Sequence, residues 1–567
     1  MSGDAVNGDP KNTARTDPAP LAGSTQPTVR RLVVYVLLFA LVAIAAAGLG
    51  GLLGRLFALG TEFAGRDTTG LARSLAFTLI GGPLAAALWW AVWRRLAEPA
   101  ERSALAWGLY LSGMYVVSLV AAASSLLGTA SSLIDGRPLA WRLSLANGLV
   151  WAAVWLWHRW MRRHPAKGPL RLEDVPAVAG TVYGLILGAG AAAGALEGVF
   201  GAATDTAAAR TGFGQPWWIP VLESCVWALG GLVIWWWHWF REGARGLRTR
   251  LAEVALVVVG IMAAAIAALA GTGVVVYVLL RLAFDRTDPL HTLLSPLPAG
   301  LAAASVGLLV WRYHHCVARE RSGTVRNAAT LVVSGAALAA AASGIGVVIN
   351  ASLALATTPL AGEEPRTLLL GGLASLLVGG PVWWLAWKPT AAADPAGRRI
   401  YLVAVFGVSA VVALVALLVV GYRLFEFLLG DASGAGLVDR VRAPLGLLVA
   451  TGLVAAYHFA VWRRDRTALA GAVLAGTAPT PTRTIARAVL VTGSDAGPLA
   501  RAIEEATGAD VTVWRTAGSP AGALHGAGPD AGPGAEALAR ALAGVEAREV
   551  LVLAGPGDRI EVIPMAR

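Results

Sequence analysis

The chain has 567 residues, of which 56% are hydrophobic and 14% charged, and its formal net charge is +11. A soluble domain carries about 25% charged residues, so this composition excludes an ordinary soluble protein. Residues 32–54, 103–134 and 327–362 contain no Asp, Glu, Lys or Arg, and about 20 apolar residues suffice for a helix to cross a bilayer. The two cysteines, Cys225 and Cys316, are too few for a disulfide framework. These features predict an all-α polytopic membrane protein.

The chain begins with a polar segment, residues 1–28, that is rich in Pro, Thr, Asp and Gly and is predicted to be a disordered cytosolic tail. It lacks the pattern of a cleaved signal peptide. Windows free of charge then predict twelve transmembrane helices, which come in pairs between residues 29 and 466. We interpret them as six tandem helical hairpins, at about 31–100, 101–170, 171–249, 250–322, 323–395 and 396–466.

The second helix of each pair ends in tryptophan and positive charge. One position of this ending is filled by Trp90, Trp155, Trp235, Trp311 and Trp384, with Ala455 as the exception. Three residues later the chain has Trp93, His158, His238, His314, Trp387 and His458. Six occurrences at near-constant spacing predict an internal repeat.

The repeat resembles a family of uncharacterised bacterial membrane proteins, defined as a domain of unknown function, whose two-helix units also end in Trp-x-x-His-Trp. The resemblance covers residues 29 to about 466. It is closest at Trp235, His238 and Trp239, and weaker at 90–93 and 384–387, where tryptophan replaces histidine. Because that family has no assigned activity, the resemblance implies the repeat architecture and no function.

The distribution of basic residues predicts the orientation of the helices. Loops between pairs, with the N-terminal tail and the segment after the last span, hold 26 of the 46 Lys and Arg residues, whereas loops inside pairs hold 12. The positive-inside rule therefore places both termini in the cytoplasm of a cell-membrane protein. Anionic lipids of the cytoplasmic leaflet are the expected partner of this basic face. Nucleic acid is not expected, since the arginines are spread along the membrane instead of being clustered in one domain.

A linker at residues 467–485 precedes a small cytosolic α/β domain at residues 486–567. The expected strands are 488–492, 510–514, 549–553 and 560–564, and the expected helices are 498–507 and 535–545. The loop 493–497 follows a strand and precedes a helix, where backbone amides can hold a phosphate. Since it matches no full phosphate-binding motif, a tight turn with a helix N-cap is the favoured reading. The domain is also a possible docking point for a protein partner.

The repeated histidines His158, His238, His314 and His458 allow two interpretations. Among the tryptophans that mark a membrane interface they would act as amphipathic anchors, together with Trp90, Trp155, Trp235, Trp311 and Trp384. If the pairs packed around a common axis, the four imidazoles would instead approach one another and bind haem or metal or relay protons. Two of the six equivalent positions are tryptophan, which favours the anchor. No cofactor is therefore predicted.

Two carboxylates at membrane depth, Glu197 and Glu223, are the candidates for transport. Burying a carboxylate in lipid is costly, so each is a functional hypothesis by default. Both are expected near the outer side of the third pair, where they would share one proton-exchanging site. No catalytic signature is found, and no nucleophile motif or acidic metal cluster accompanies them. The preferred function is a structural or interaction scaffold, with a proton- or solute-coupled transporter second and a haem or metal protein third.

Overall fold

The structure, a computed structural model, describes residues 25–59, 67–136, 140–207, 215–284, 288–356, 365–388, 395–430, 436–474, 485–492, 496–515, 535–543, 545, 547–555 and 559–565. The chain divides into two compact units. The first comprises Met1–Gly184 and Val233–Leu247, and the second comprises Leu185–Leu232 and Arg248–Arg567. Most of the predicted tail, residues 1–24, lies outside the described residues, and helix α1 already begins at Thr25.

Helices dominate residues 25–474. They are α1 (Thr25–Phe57), α2 (Thr68–Ala76), α3 (Gly82–Arg95), α4 (Pro99–Arg102), α5 (Leu105–Ile134), α6 (Ala140–Arg162), α7 (Val175–Ala207), α8 (Trp218–Trp236), α9 (Arg250–Ala255), α10 (Ala264–Phe284), α11 (Leu290–Leu294), α12 (Leu297–Arg319), α13 (Gly323–Leu355), α14 (Pro365–Trp387), α15 (Pro395–Leu428) and α16 (Leu437–Leu474). Three π-helical segments, Phe77–Gly81, Trp237–Arg241 and Leu256–Ala263, continue or join these helices.

Eleven helices among the described residues are long and apolar enough to cross a membrane. The chain is therefore a multi-pass membrane protein. The predicted span that is not among these eleven helices coincides with α6. Helix α6 has 23 residues and at about 1.5 Å per residue is long enough to span a bilayer. Its tryptophans and arginines make it less apolar than the other eleven.

In the second unit, successive long helices pack as antiparallel pairs with very close backbones. Helix α10 packs on α12, α13 on α14 and α15 on α16, and α13 also contacts α16. A Cβ built on Gly307 would lie 2.5 Å from the backbone nitrogen of Ala268, and one on Gly379 would lie 2.5 Å from that of Ala341. Since lipid provides no hydrophobic drive for helix association, such close van der Waals contact between small residues holds the pairs together.

In the first unit, α5 packs on α6, and α1 contacts both of them. The buried centre is aromatic, with the ring centroids of Tyr35 and Trp107 5.5 Å apart and those of Trp107 and Tyr110 5.6 Å apart.

Outside the membrane, Asp67 begins α2 by accepting a hydrogen bond of 2.8 Å from the backbone N–H of Gly70. That bond, and next the Arg55 guanidinium, hold the pKa of the Asp67 carboxyl below its usual value.

The C-terminal region contains a four-stranded sheet of order β2-β1-β3-β4. Its strands are β1 (Arg487–Thr492), β2 (Asp510–Arg515), β3 (Glu549–Ala554) and β4 (Ile560–Met565), with α17 (Ala496–Thr507) and α18 (Ala535–Leu542) between them in the chain. Strands β1, β2 and β3 are parallel, and β4 is antiparallel to β3. This order of strands and helices is the one expected from the sequence. The loop residues 493–495, at which phosphate binding was considered, lie outside the described residues.

Both helices of this region pack on one face of the sheet, formed by Ala488, Leu490, Val550 and Val552. Side chains alternate along a strand, so the opposite face carries Val489, Val491, Leu551, Leu553 and Trp514. Val489 is buried, the next three are half-buried, and Trp514 is 60% exposed.

Helix α16 runs on to Leu474, so the segment predicted as a linker from residue 467 begins as helix. On α17, burial raises the pKa of the Glu504 carboxyl, and the negative charges of Glu253 and then Asp510 raise it further. Helix α17 therefore lies near the start of α9.

Candidate functional site

The four repeated histidines adopt one local geometry, in α6, in the π-helical segment that follows α8, in α12 and in α16. Each imidazole Nδ1 lies 2.7 or 2.8 Å from the backbone carbonyl four residues earlier, that of Val154, Ile234, Val310 or Val454. A carbonyl only accepts hydrogen bonds, so Nδ1 carries the proton and donates it. In the neutral ring, Nε2 is then an acceptor directed away from its own helix.

Two of these acceptors meet buried tyrosines. The Tyr110 hydroxyl lies 3.1 Å from Nε2 of His158, and the Tyr115 hydroxyl lies 2.9 Å from Nε2 of His238. The tautomer imposed by the backbone bond makes each tyrosine the donor. Both hydrogen bonds are buried, where losing one partner costs about 1–3 kcal/mol.

The residue that faces each histidine from the first helix of its pair determines which helix supplies the hydrogen-bond partner of the imidazole. His158 bonds Tyr110 of its own pair. His238 instead passes over Gly180 of its own pair, where a Cβ would lie 2.2 Å from its ring, and reaches Tyr115 of the preceding pair. A glycine on the first helix therefore leaves space for the imidazole to reach a tyrosine of the neighbouring pair.

The other two histidines repeat these two arrangements in part. His314 lies against Gly260, where a Cβ would lie 2.8 Å from the imidazole ring. His458 packs between Tyr401 of its own pair and Trp387 of the preceding pair, at centroid distances of 6.1 and 5.7 Å. His158 is likewise placed between Tyr110 and Trp89.

The histidines are therefore interior residues, and the interfacial-anchor reading does not describe their positions. All four are at most 3% exposed, because the backbone bond of Nδ1 turns each ring toward the neighbouring helix instead of toward lipid. They also have separate protein partners. Within the described part of the chain, no group of three or more His, Cys, Asp or Glu side chains is placed to hold a metal ion.

The five predicted tryptophan anchors differ from the histidines in exposure. Trp90 and Trp384 are 57% and 49% exposed, and Trp155, Trp235 and Trp311 are half-buried. Each ring contacts the side chain one turn later. The Arg94 guanidinium lies 3.7 Å from the Trp90 ring, Lys388 Nζ lies 4.8 Å from Trp384, and Arg159 lies 5.9 Å from Trp155. Trp235 stacks on Trp239, and Trp311 stacks on His315.

The two predicted transport carboxylates are placed differently. Glu197 lines a cavity of about 260 Å³ in the second unit, with Gly201, Thr204, Asp205, His291, Leu294, Ser295 and Pro298. Glu223, a half-buried residue of α8, is not among the described residues that line this cavity. The cavity thus brings Glu197 together with Asp205 and His291.

Sequence reasoning missed the partners of the histidines, above all Tyr115 and the glycines Gly180 and Gly260. A signal for the glycines existed, because each stands early in the first helix of a pair whose second helix ends in the repeated histidine. No comparable signal identified Tyr115, which belongs to a different pair from His238.

Comparison with protein families finds one model, described as a domain of unknown function (DUF5671), which matches residues 31–156 and 354–453. No curated protein and no solved structure matches the chain. The first matched segment includes Trp89 and Tyr110, and the second includes Trp387 and Tyr401. These residues pack against His158 and His458. The two histidines themselves lie just beyond the ends of the matched segments.

Proposed function

We propose that this protein is a structural and interaction scaffold of the cytoplasmic membrane. It has twelve spans arranged as six tandem hairpins, with both termini in the cytoplasm. The repeated helix ends hold the hairpins together through their buried histidines, and their outer surface contacts anionic lipid of the cytoplasmic leaflet.

The observation that carries this proposal is the pairing of exposed or half-buried tryptophans with cations at one position of the repeat. We call the pairs Trp90–Arg94, Trp155–Arg159 and Trp384–Lys388 the basic–aromatic band. Tryptophan favours the headgroup level of a membrane, and a cation near an anionic leaflet is stabilised by about 1 kcal/mol. A band that combines both at the same helix ends suits a protein held against anionic lipid.

The C-terminal sheet supports the interaction part of the proposal. Parallel sheets are normally covered on both faces, whereas both helices of residues 486–567 pack on the same face. The other face presents Leu551, Leu553 and the exposed ring of Trp514. A protein partner docked there would complete the second layer.

The role of the basic–aromatic band is tested by measuring how much anionic lipid copurifies with the protein. We expect the double variant Arg94→Gln, Lys388→Gln to lose most of the enrichment of phosphatidylglycerol over phosphatidylethanolamine in polymer-extracted particles, measured by lipid mass spectrometry. The control is Arg73→Gln, Arg366→Gln, which removes two cations from the opposite side. Equal lipid profiles in the two double variants would contradict the proposal.

The second candidate is a proton- or solute-coupled transporter that uses Glu197 and Glu223, and the cavity at Glu197 favours it. The carboxylates Glu197 and Asp205, with the imidazole of His291, line one space, which is a setting for proton exchange.

We expect Glu197→Gln to abolish proton entry into proteoliposomes that carry a trapped pH-sensitive dye, under an imposed potassium diffusion potential. Glu223→Gln in the same assay shows whether the second carboxylate takes part. Wild-type vesicles that leak protons no faster than empty ones would exclude this candidate and leave the scaffold untouched.

A further inference from the structure

Three arginines surround one buried carboxylate in the first unit. Glu242, whose side chain is 2% exposed, follows the π-helical end of α8, and its backbone N–H donates to the carbonyl of Trp237. Its oxygens contact the guanidiniums of Arg159 at 3.2 Å, of Arg163 at 2.8 Å and of Arg162. The π turn thus brings the carboxylate of one helix end to the arginines of another.

The charges of this cluster do not balance. One negative charge faces three positive ones, and positive charge remains in excess even when Glu173, whose carboxylate interacts electrostatically with Arg162, is included. Arginine stays charged in proteins, so the excess is not relieved by loss of a proton. An anion placed beside the arginines would relieve their mutual repulsion.

The cluster also contains guanidinium N–H donors that Glu242 does not use. A guanidinium carries five N–H donors, and among the described residues Arg159 and Arg163 each direct hydrogen bonds or ion pairs only to Glu242. The Arg163 side chain is 50% exposed, and that of Arg159 is 24% exposed. Solvent or lipid can therefore reach the unused donors.

The arginines are also held in position. The Arg162 guanidinium lies over the ring of Tyr115 at 5.5 Å, and that of Arg159 lies over the ring of Trp237 at 5.0 Å. Tyr115 is itself fixed by its bond to His238. A planar guanidinium fork that is already oriented matches the oxygens of a phosphate and loses little entropy on binding it.

We propose that Arg159, Arg162 and Arg163 form a binding site for one phosphate group, with Glu242 as the internal counter-charge that holds them together before the ligand arrives. The phosphate belongs to a phospholipid headgroup or to a free phosphate, since the recognition chemistry is the same. The proposal deepens the lipid contact of the scaffold and rests on it for the placement of these helix ends at the membrane surface. It differs in requiring one saturable site instead of a band.

The test measures binding to the full-length protein in two arms. One arm titrates inorganic phosphate into detergent-purified protein, and the other detects bound phosphatidylglycerol by native mass spectrometry from phosphatidylcholine nanodiscs doped with that lipid. We expect one saturable site that Arg163→Ala weakens about tenfold, since charge-assisted bonds to phosphate are strong. The matched control is Arg319→Ala, which removes an arginine from the same position of the fourth repeat, eight residues after Trp311, as Arg163 follows Trp155.

Glu242→Gln separates a ligand site from a closed ion-pair network. Removing the internal counter-charge frees donors, so the folded variant binds phosphate more tightly than the wild type. Binding in the phosphate arm alone assigns the site to a soluble phosphate, and binding in the lipid arm assigns it to a headgroup. No saturable binding in either arm, or equal affinity in Arg163→Ala and wild type, overturns the proposal. The basic–aromatic band is tested through Arg94 and Lys388, so a failure of this site and a failure of the band are told apart by different variants.

Discussion

We expect Gly231→Ala to lower the thermal stability of the membrane domain strongly. A Cβ at Gly231 would lie 2.2 Å from the backbone nitrogen and 2.4 Å from the Cα of Gly188. These atoms belong to the backbone of α7, so no side chain can rotate away, and the two helices must separate. Overpacking of this kind costs about 1–3 kcal/mol, and it also removes the close contact on which helix association in lipid depends.

The measurement is the midpoint of loss of the monodisperse peak on fluorescence-detected size exclusion after heating in detergent. Gly190→Ala is the matched control, because a Cβ built there meets nothing within 4 Å. Alanine is the better helix former by about 1 kcal/mol, so the control should be neutral or stabilising. Equal effects of the two substitutions would show that the α7–α8 contact is looser than described.

We expect Gly180→Ala to be strongly destabilising in the wild type and nearly neutral in a His238→Ala background. The new methyl group would lie 2.2 Å from the His238 ring, so the imidazole must leave the hydroxyl of Tyr115. In the wild-type background, the substitution then causes steric strain and leaves Nε2 of His238 as a buried acceptor without its donor. The lost hydrogen bond alone lowers the stability by about 1–3 kcal/mol. With alanine at 238, the methyl group enters space that the ring has vacated.

A double-mutant cycle on the same thermal assay isolates this coupling. Tyr115→Phe serves as the companion variant, since it removes only the hydroxyl and reports the hydrogen bond without the steric clash. Additive effects of Gly180→Ala and His238→Ala would mean that the histidine does not pass over Gly180, and the packing between the second and third pairs would need another explanation.

The elements that sequence patterns identified well are those with a one-dimensional signature. Charge-free windows are set by the cost of burying charge in lipid, and they located α1, α5 and α13 as long helices. The C-terminal strands were also located to within a residue or two, since apolar residues bounded by turn residues leave few alternatives in a short α/β region.

The candidate site was predicted less well, and the reason differs between residues. Aligning the repeats singled out His158 and His238, but the alignment says only that they are equivalent. Whether they meet one another or meet tyrosines depends on which helices pack together. In the same way, Glu197 and Glu223 are close in a helical-hairpin diagram, yet the cavity combines Glu197 with His291 of a different pair.

The amino-acid sequence by itself determined that this is a multi-pass helical membrane protein with repeated Trp- and His-bearing helix ends and a small C-terminal α/β region. Only the tertiary structure decided that the four histidines are interior residues, that two of them are hydrogen-bonded to tyrosines, and that three arginines surround Glu242. The physical reason is that a helix in lipid is apolar on every side, so hydrophobic periodicity does not reveal which face meets protein. That choice is made by small residues such as Gly180 and Gly231, whose effect depends on the helix that lies opposite.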